Sequence, residues 1–128
     1  MTRIFHQNLQ DYRGNPAKTD ALAELYRHIG TFRRDVIVVG FTEVLASNEQ
    51  VRNNLSALAR SMDGALTELV VIDVGTTVGG DWPGRQEYIG IAWDPQWVHM
   101  DYAGVVVRHA VTREWWPHFL TPDRIQEQ

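Results

Sequence analysis

Apolar residues change their spacing along this chain in a way that separates helices from strands. From Thr19 onward, Leu22, Leu25, Tyr26, Ile29 and Phe32 recur at three- and four-residue steps, with Glu24, Arg27 and His28 between them. That spacing lays one apolar stripe along an amphipathic helix ending near Gly30 or Phe32. A second stripe, Val51, Leu55, Leu58, Ala59 and Met62, follows Ser47 and Gln50, which stand three apart as in a capping box; Gly64 supplies a stop.

The remaining apolar runs read as strands. Asp35-Val36-Ile37-Val38-Val39-Gly40-Phe41 is short and rich in β-branched residues, the signature of a strand covered on both faces, and Thr42-Glu43 lies at its carboxyl end. Residues 2–8 have extended character and lead into Gln10-Asp11-Tyr12-Arg13-Gly14-Asn15-Pro16, a tract of turn chemistry. Leu66–Val74, Glu87–Trp93 and Trp97–His109 also read as β. Asp94-Pro95-Gln96 joins the last two as a type I turn, which predicts a hairpin. Between the first two lies a Gly- and Pro-rich loop, Gly75–Gly84, long enough to carry function.

The order β-α-β-α-β-loop-β-β predicts an α/β or layered α+β architecture. Beyond about residue 110 the tail concentrates Trp115, Trp116 and Phe119. Such an apolar tail is expected to fold back over a sheet face or to form an interface with another chain.

Length and composition narrow the picture. With 128 residues, 44% of them hydrophobic, the chain is expected to form a single domain spanning 1–128. The net charge of −4 provides no long-range positive field, so there is no strong nucleic-acid signal and a polyanionic ligand needs a local site. Cysteine is absent, which excludes disulfides and thiolate metal sites. The first residues lack the apolar run of a signal peptide and no segment has the length of a membrane span; a cytoplasmic protein is expected.

The common chemical signatures are missing: there is no phosphate loop, no nucleophile elbow and no dinucleotide fingerprint. His6, His28, His99, His109 and His118 are too dispersed for a zinc motif.

Two strand ends carry a resemblance. Ile4-Phe5-His6-Gln7-Asn8-Leu9 resembles the opening strand, and Val36–Val44 the second strand, of the endonuclease/exonuclease/phosphatase (DNase I-like) family. The helix after Glu43, the strand Leu69–Val74, the Gly-rich loop and Gly84-Arg85-Gln86-Glu87-Tyr88-Ile89-Gly90-Ile91-Ala92-Trp93 follow in the family's order. The resemblance implies the amino-terminal half of a DNase I-like β-sandwich, a mixed sheet flanked by two helices. It implies Asn8 and Glu43 as ligands of Mg²⁺ or Mn²⁺, Arg85 as the contact to a substrate phosphate, and Gln86 or Glu87 at the position that orients a catalytic His. Oxygen ligands from a carboxylate and an amide suit such a hard cation, with water and phosphate completing its shell. Taken without the resemblance, Asn8 is a residue type that opens turns, Glu43 one that sits solvated after a buried strand, and Arg85 and Glu87 surface charges beside a core strand.

The chain departs from the family in its second half, for it has neither a Gly-Asp-x-Asn motif nor a terminal Ser-Asp-His motif, and no Asp-His dipeptide at all. Those parts supply the base that activates water and the amide that stabilises charge on phosphorus. The expectation is a metal-dependent phosphoesterase with an incomplete site, active once a second chain or a missing segment supplies the His/Asp half, in a homo-oligomer or with a complementary chain. The alternative is a non-catalytic binding or dimerisation module retaining the half-fold. A third reading is an unrelated α/β enzyme using Glu43 or Asp73 beside the Trp82 loop.

Overall fold

The computed structural model describes residues 3–32, 35–76 and 85–101, together with the backbone of 104–108, 115–119 and 125–127. The elements are β1 (Arg3–Tyr12), α1 (Pro16–Phe32), β2 (Val36–Val44), α2 (Glu49–Met62), β3 (Glu68–Thr76), β4 (Gln86–Trp93), β5 (Gly104–Arg108), β6 (Trp115–Phe119) and β7 (Ile125–Glu127). Five strands form one mixed sheet in the order β1-β2-β4-β3-β7, and β5 pairs with β6 in a separate two-stranded sheet. The α+β class expected from the alternation of periods is therefore the class observed.

Both helices start where capping chemistry is strongest. Asn15 Oδ1 accepts the Lys18 N–H at 3.1 Å and Pro16 occupies the first helical position, where its missing N–H costs nothing. The helix thus begins three residues before Thr19. In α2 the cap is Asn48, whose Oδ1 accepts the Val51 N–H at 2.9 Å, rather than Ser47. Asn caps as well as Ser, and this placement puts Glu49 in the positive first turn.

One face of the sheet and the two helices share a core that includes Leu9, Tyr12, Leu22, Tyr26, Val39, Phe41, Leu55, Leu58, Leu69 and Val71. Tyr26 stands between two strands, edge-on to Phe5 at 5.7 Å and stacked on Phe41 at 6.2 Å, and donates a 2.5 Å hydrogen bond to Gln7 Oε1. Burial pushes its phenol well above the ordinary tyrosine range. The predicted stripe of α1 is only partly used: Leu22 and Tyr26 are buried, whereas Leu25 is 44% and Phe32 71% exposed. Phe32 meets the ring of His28 edge-on instead.

The helices touch closely at Gly30, where a Cβ would lie 2.1 Å from the Met62 carbonyl oxygen. Leu69, Val70, Val71 and Ile72 are all buried, so β3 is covered on both faces, as expected for an inner strand. At the β1 edge, Ile4 is 76% exposed.

The expected hairpin between Glu87–Trp93 and Trp97–His109 does not form. The turn itself exists, with the Trp97 N–H donating to the Asp94 carbonyl at 3.1 Å. However, β4 pairs antiparallel with β2 on one side and β3 on the other, which fills both its edges. The next strand starts only at Gly104 and pairs with β6. Among the described residues, no helix is long and apolar enough to cross a membrane.

Candidate functional site

Strand direction places the candidate residues together. β1 runs parallel to β2, and β4 runs antiparallel to both β2 and β3. The carboxyl ends of β1, β2 and β3 and the amino end of β4 therefore lie at one end of the sheet, the end where open α/β sheets receive ligands. Asn8, Asp11, Glu43, Asp73, Arg85, Gln86 and Glu87 all belong to it.

The strands lose regular register at that same end. Asn8 faces Thr42 and Tyr12 faces Val44, so three residues of β1 stand against Glu43 alone. Further breaks fall between Phe41 and Val44 in β2 and between Asp73 and Gly75 in β3. Gln10, Asp11 and Glu43 have φ of 52°, 60° and 56°, and Gly75 has 93°. A left-handed backbone costs about 1–2 kcal/mol at a residue with a Cβ, so three such residues on two neighbouring strands at one end of the sheet mark a place where the fold sustains strain. The bulge carries Tyr12 back into the core, where its hydroxyl meets Thr19 Oγ1 at 2.6 Å.

Side-chain contacts stitch this rim together. The Asp11 N–H donates to Glu43 Oε2 at 3.2 Å, which ties the left-handed segment of β1 to the left-handed residue of β2. Lys18 Nζ donates to the Gln10 carbonyl and steadies the same bulge from α1. Asn8 Oδ1 accepts the Gln10 N–H at 2.8 Å, an Asx turn that commits part of this side chain to its own loop. Arg85 Nη2 meets Asp11 Oδ1 at 2.7 Å and Glu87 Oε1 at 3.1 Å. Asp73 Oδ1 accepts from the Gly75 N–H at 2.8 Å and from Gln86 Nε2.

The predicted residues are thus brought to one end, but with relationships the sequence did not disclose. Asn8 lies opposite Thr42 and one step from Glu43; its side chain accepts the Gln10 N–H, and the next residue, Asp11, donates its own N–H to Glu43. Gln86 is turned to Asp73 and Glu87 to Arg85. Asp11, read from sequence as part of a turn, is the residue that touches both Glu43 and Arg85. Its only sequence signal is its place three residues after Asn8 in a tract dominated by turn formers.

The chemistry of the donor set is that of hard oxygen: Glu43 retains Oε1, Asn8 has a second carbonyl lone pair, and Asp11 and Asp73 add carboxylates. Among the described residues, no three His, Asp or Glu side chains converge closely enough to enclose an ion by themselves. A Mg²⁺ held by Asn8 and Glu43 would take most of its shell from water and phosphate, as this ion commonly does.

Trp115, Trp116 and Phe119 fall on the backbone of β6; their side chains are outside the described residues, as are Trp82 and the loop from 77 to 84. His6 is exposed beside Gly40, and exposed His99 pairs with Asp101 at 3.2 Å. A cavity of about 350 Å³ lined by Val38, Ile91, Trp93, Val98, His99 and Met100 opens at the opposite end of the sheet from Glu43.

A scan against protein-family models found no match, and searches of curated proteins and of solved structures likewise returned none.

Proposed function

We propose that the rim formed by β1, β2, β3 and β4 is half of a divalent-metal-dependent phosphoesterase site, in which Asn8 and Glu43 hold Mg²⁺ or Mn²⁺ and Arg85 binds the substrate phosphate. The observation that carries this reading is the convergence of Glu43, Asp11 and Arg85 at one sheet end, with Glu43 held in a left-handed backbone. Asp11, Glu43, Asp73 and Glu87 give the rim a surplus of negative charge among the described residues, which favours a cation over a bare anion. When bound, a divalent ion supplies charge neutralisation for phosphate oxygens.

The chain's own residues do the rest of what this half-site can do. Glu43 presents its carboxylate from a fixed backbone, because Oε2 is restrained by the Asp11 N–H. Arg85 offers a guanidinium whose planar fork matches two phosphate oxygens. A general base for the attacking water is not among these residues, so turnover requires a His/Asp pair from a complementary chain, a second copy or a further segment.

Titration of Mn²⁺ and Mg²⁺ into wild type and Glu43→Gln, with a phosphodiesterase assay and the oligomeric mass measured in parallel, tests the reading. Binding in wild type that is lost in the variant supports it. Absence of binding in both overturns it and leaves the non-catalytic half-fold module, which is favoured by one observation: Arg85 already meets two carboxylates of its own chain.

A further inference from the structure

Arg85 is engaged in a way that decides how an anion reaches it. Its side chain is 16% exposed, and the carboxylates on Nη2 differ sharply, Glu87 at 28% and Asp11 at 59%. Glu87 is two residues along the chain from Arg85, so the two share a backbone and move together. Asp11 arrives from β1, with β2 intervening, on a left-handed turn. A tetrahedral oxyanion that takes the two donors of Arg85 Nη2 must exchange with one of these carboxylates. Release of the more exposed one costs less, because water solvates it at once and little packing is lost.

We infer that Asp11 is a displaceable internal competitor that occupies the phosphate position on Arg85 until an oxyanion exchanges with it, while Glu87 stays in place and orients the guanidinium. The inference rests on the reading of Arg85 as the phosphate contact. It makes Asp11 a specificity-determining residue: a ligand that binds Arg85 with only one weak acceptor does not displace a carboxylate, whereas phosphate, with several charged oxygens, does. The backbone N–H of Asp11 stays on Glu43 throughout, so the exchange needs only rotation of a short side chain.

The test uses inorganic phosphate in buffer with saturating Mg²⁺, titrated into the full chain as wild type, Asp11→Asn and Arg85→Gln, and followed by calorimetry and by NMR of the Arg85 Nε–H and the Asp11 carboxyl carbon. Asn tolerates the left-handed backbone at position 11, so the substitution removes charge without straining the turn. Asp11→Asn is expected to bind phosphate roughly two- to five-fold more tightly than wild type, the range an exposed ion pair commands. Arg85→Gln is expected to lose binding. In wild type the Asp11 carboxyl resonance is expected to move together with that of Arg85. If Arg85→Gln abolishes binding but Asp11→Asn binds no more tightly, or the Asp11 carboxyl stays still while Arg85 shifts, the competitor role is overturned and the Arg85 reading stands. Binding that is indifferent to Arg85→Gln, or that is absent from all variants, overturns both.

Discussion

The backbone N–H of Asp11 donates to Glu43 Oε2 across 3.2 Å, joining two residues that both adopt a left-handed backbone. Each would be strained alone, and the hydrogen bond fixes them relative to each other. The side chain at position 43 therefore has two separable duties, to accept this bond and to carry charge.

Glu43→Gln keeps an acceptor and loses only the charge, so its cost in stability is about 0.5–1 kcal/mol. Glu43→Ala loses the acceptor and keeps the strained backbone, whereas Glu43→Gly loses the acceptor and relieves the strain. Chemical denaturation should rank Glu43→Gly above Glu43→Ala by about 1 kcal/mol. The reverse order would mean that the backbone at Glu43 is not held in the left-handed region in solution.

At the helix crossing, Gly30→Ala would push a methyl group to within 2.1 Å of the Met62 carbonyl oxygen, a backbone atom that cannot swing aside. The expected loss is about 2–3 kcal/mol, with α1 and α2 forced apart. Gly64→Ala is the matched control, since nothing lies within 4 Å of the added carbon.

Asp35 offers a pH readout distant from the rim. Desolvation works against its charge, but the 2.9 Å hydrogen bond from Arg3 Nε, a hydrogen bond from its own backbone N–H and the Arg3 charge outweigh it, so its carboxyl titrates below the usual range. A pKa depressed in the folded state contributes stability above the unfolded value, and that stability is lost as the pH falls through the folded value. Thermal melts of wild type and Asp35→Asn should therefore differ at pH 7 and converge below about pH 4. A gap that persists unchanged into acid would rule out the pair as its cause.

The sequence revealed those elements whose neighbours do not alter their pattern. The stripes of α1 and α2 and the apolar run of β2 are visible because helix and buried-strand periods are local properties. What escaped depends on distant partners. β4 looked like one arm of a hairpin because Asp94–Trp97 does turn, yet both its edges were already claimed by β2 and β3. Asp11 looked like loop because Gly14, Asn15 and Pro16 follow it. A bulge that sets three residues against one destroys the two-residue alternation by which a strand is recognised. Leu25 and Phe32 fit the α1 stripe by spacing, but the covered face of the helix is narrower than the stripe.

β3 has a consequence for how the domain opens. Its four consecutive buried side chains, Leu69 to Ile72, and its hydrogen-bonded neighbours on both sides, β4 and β7, make its amides the last expected to exchange with deuterated solvent. β1, paired along one side only within its sheet, should exchange earlier. The rim spans this gradient: Asp73 directly follows the buried run of β3, whose amides are expected to exchange last, whereas Asp11 lies on β1, where exchange is expected sooner.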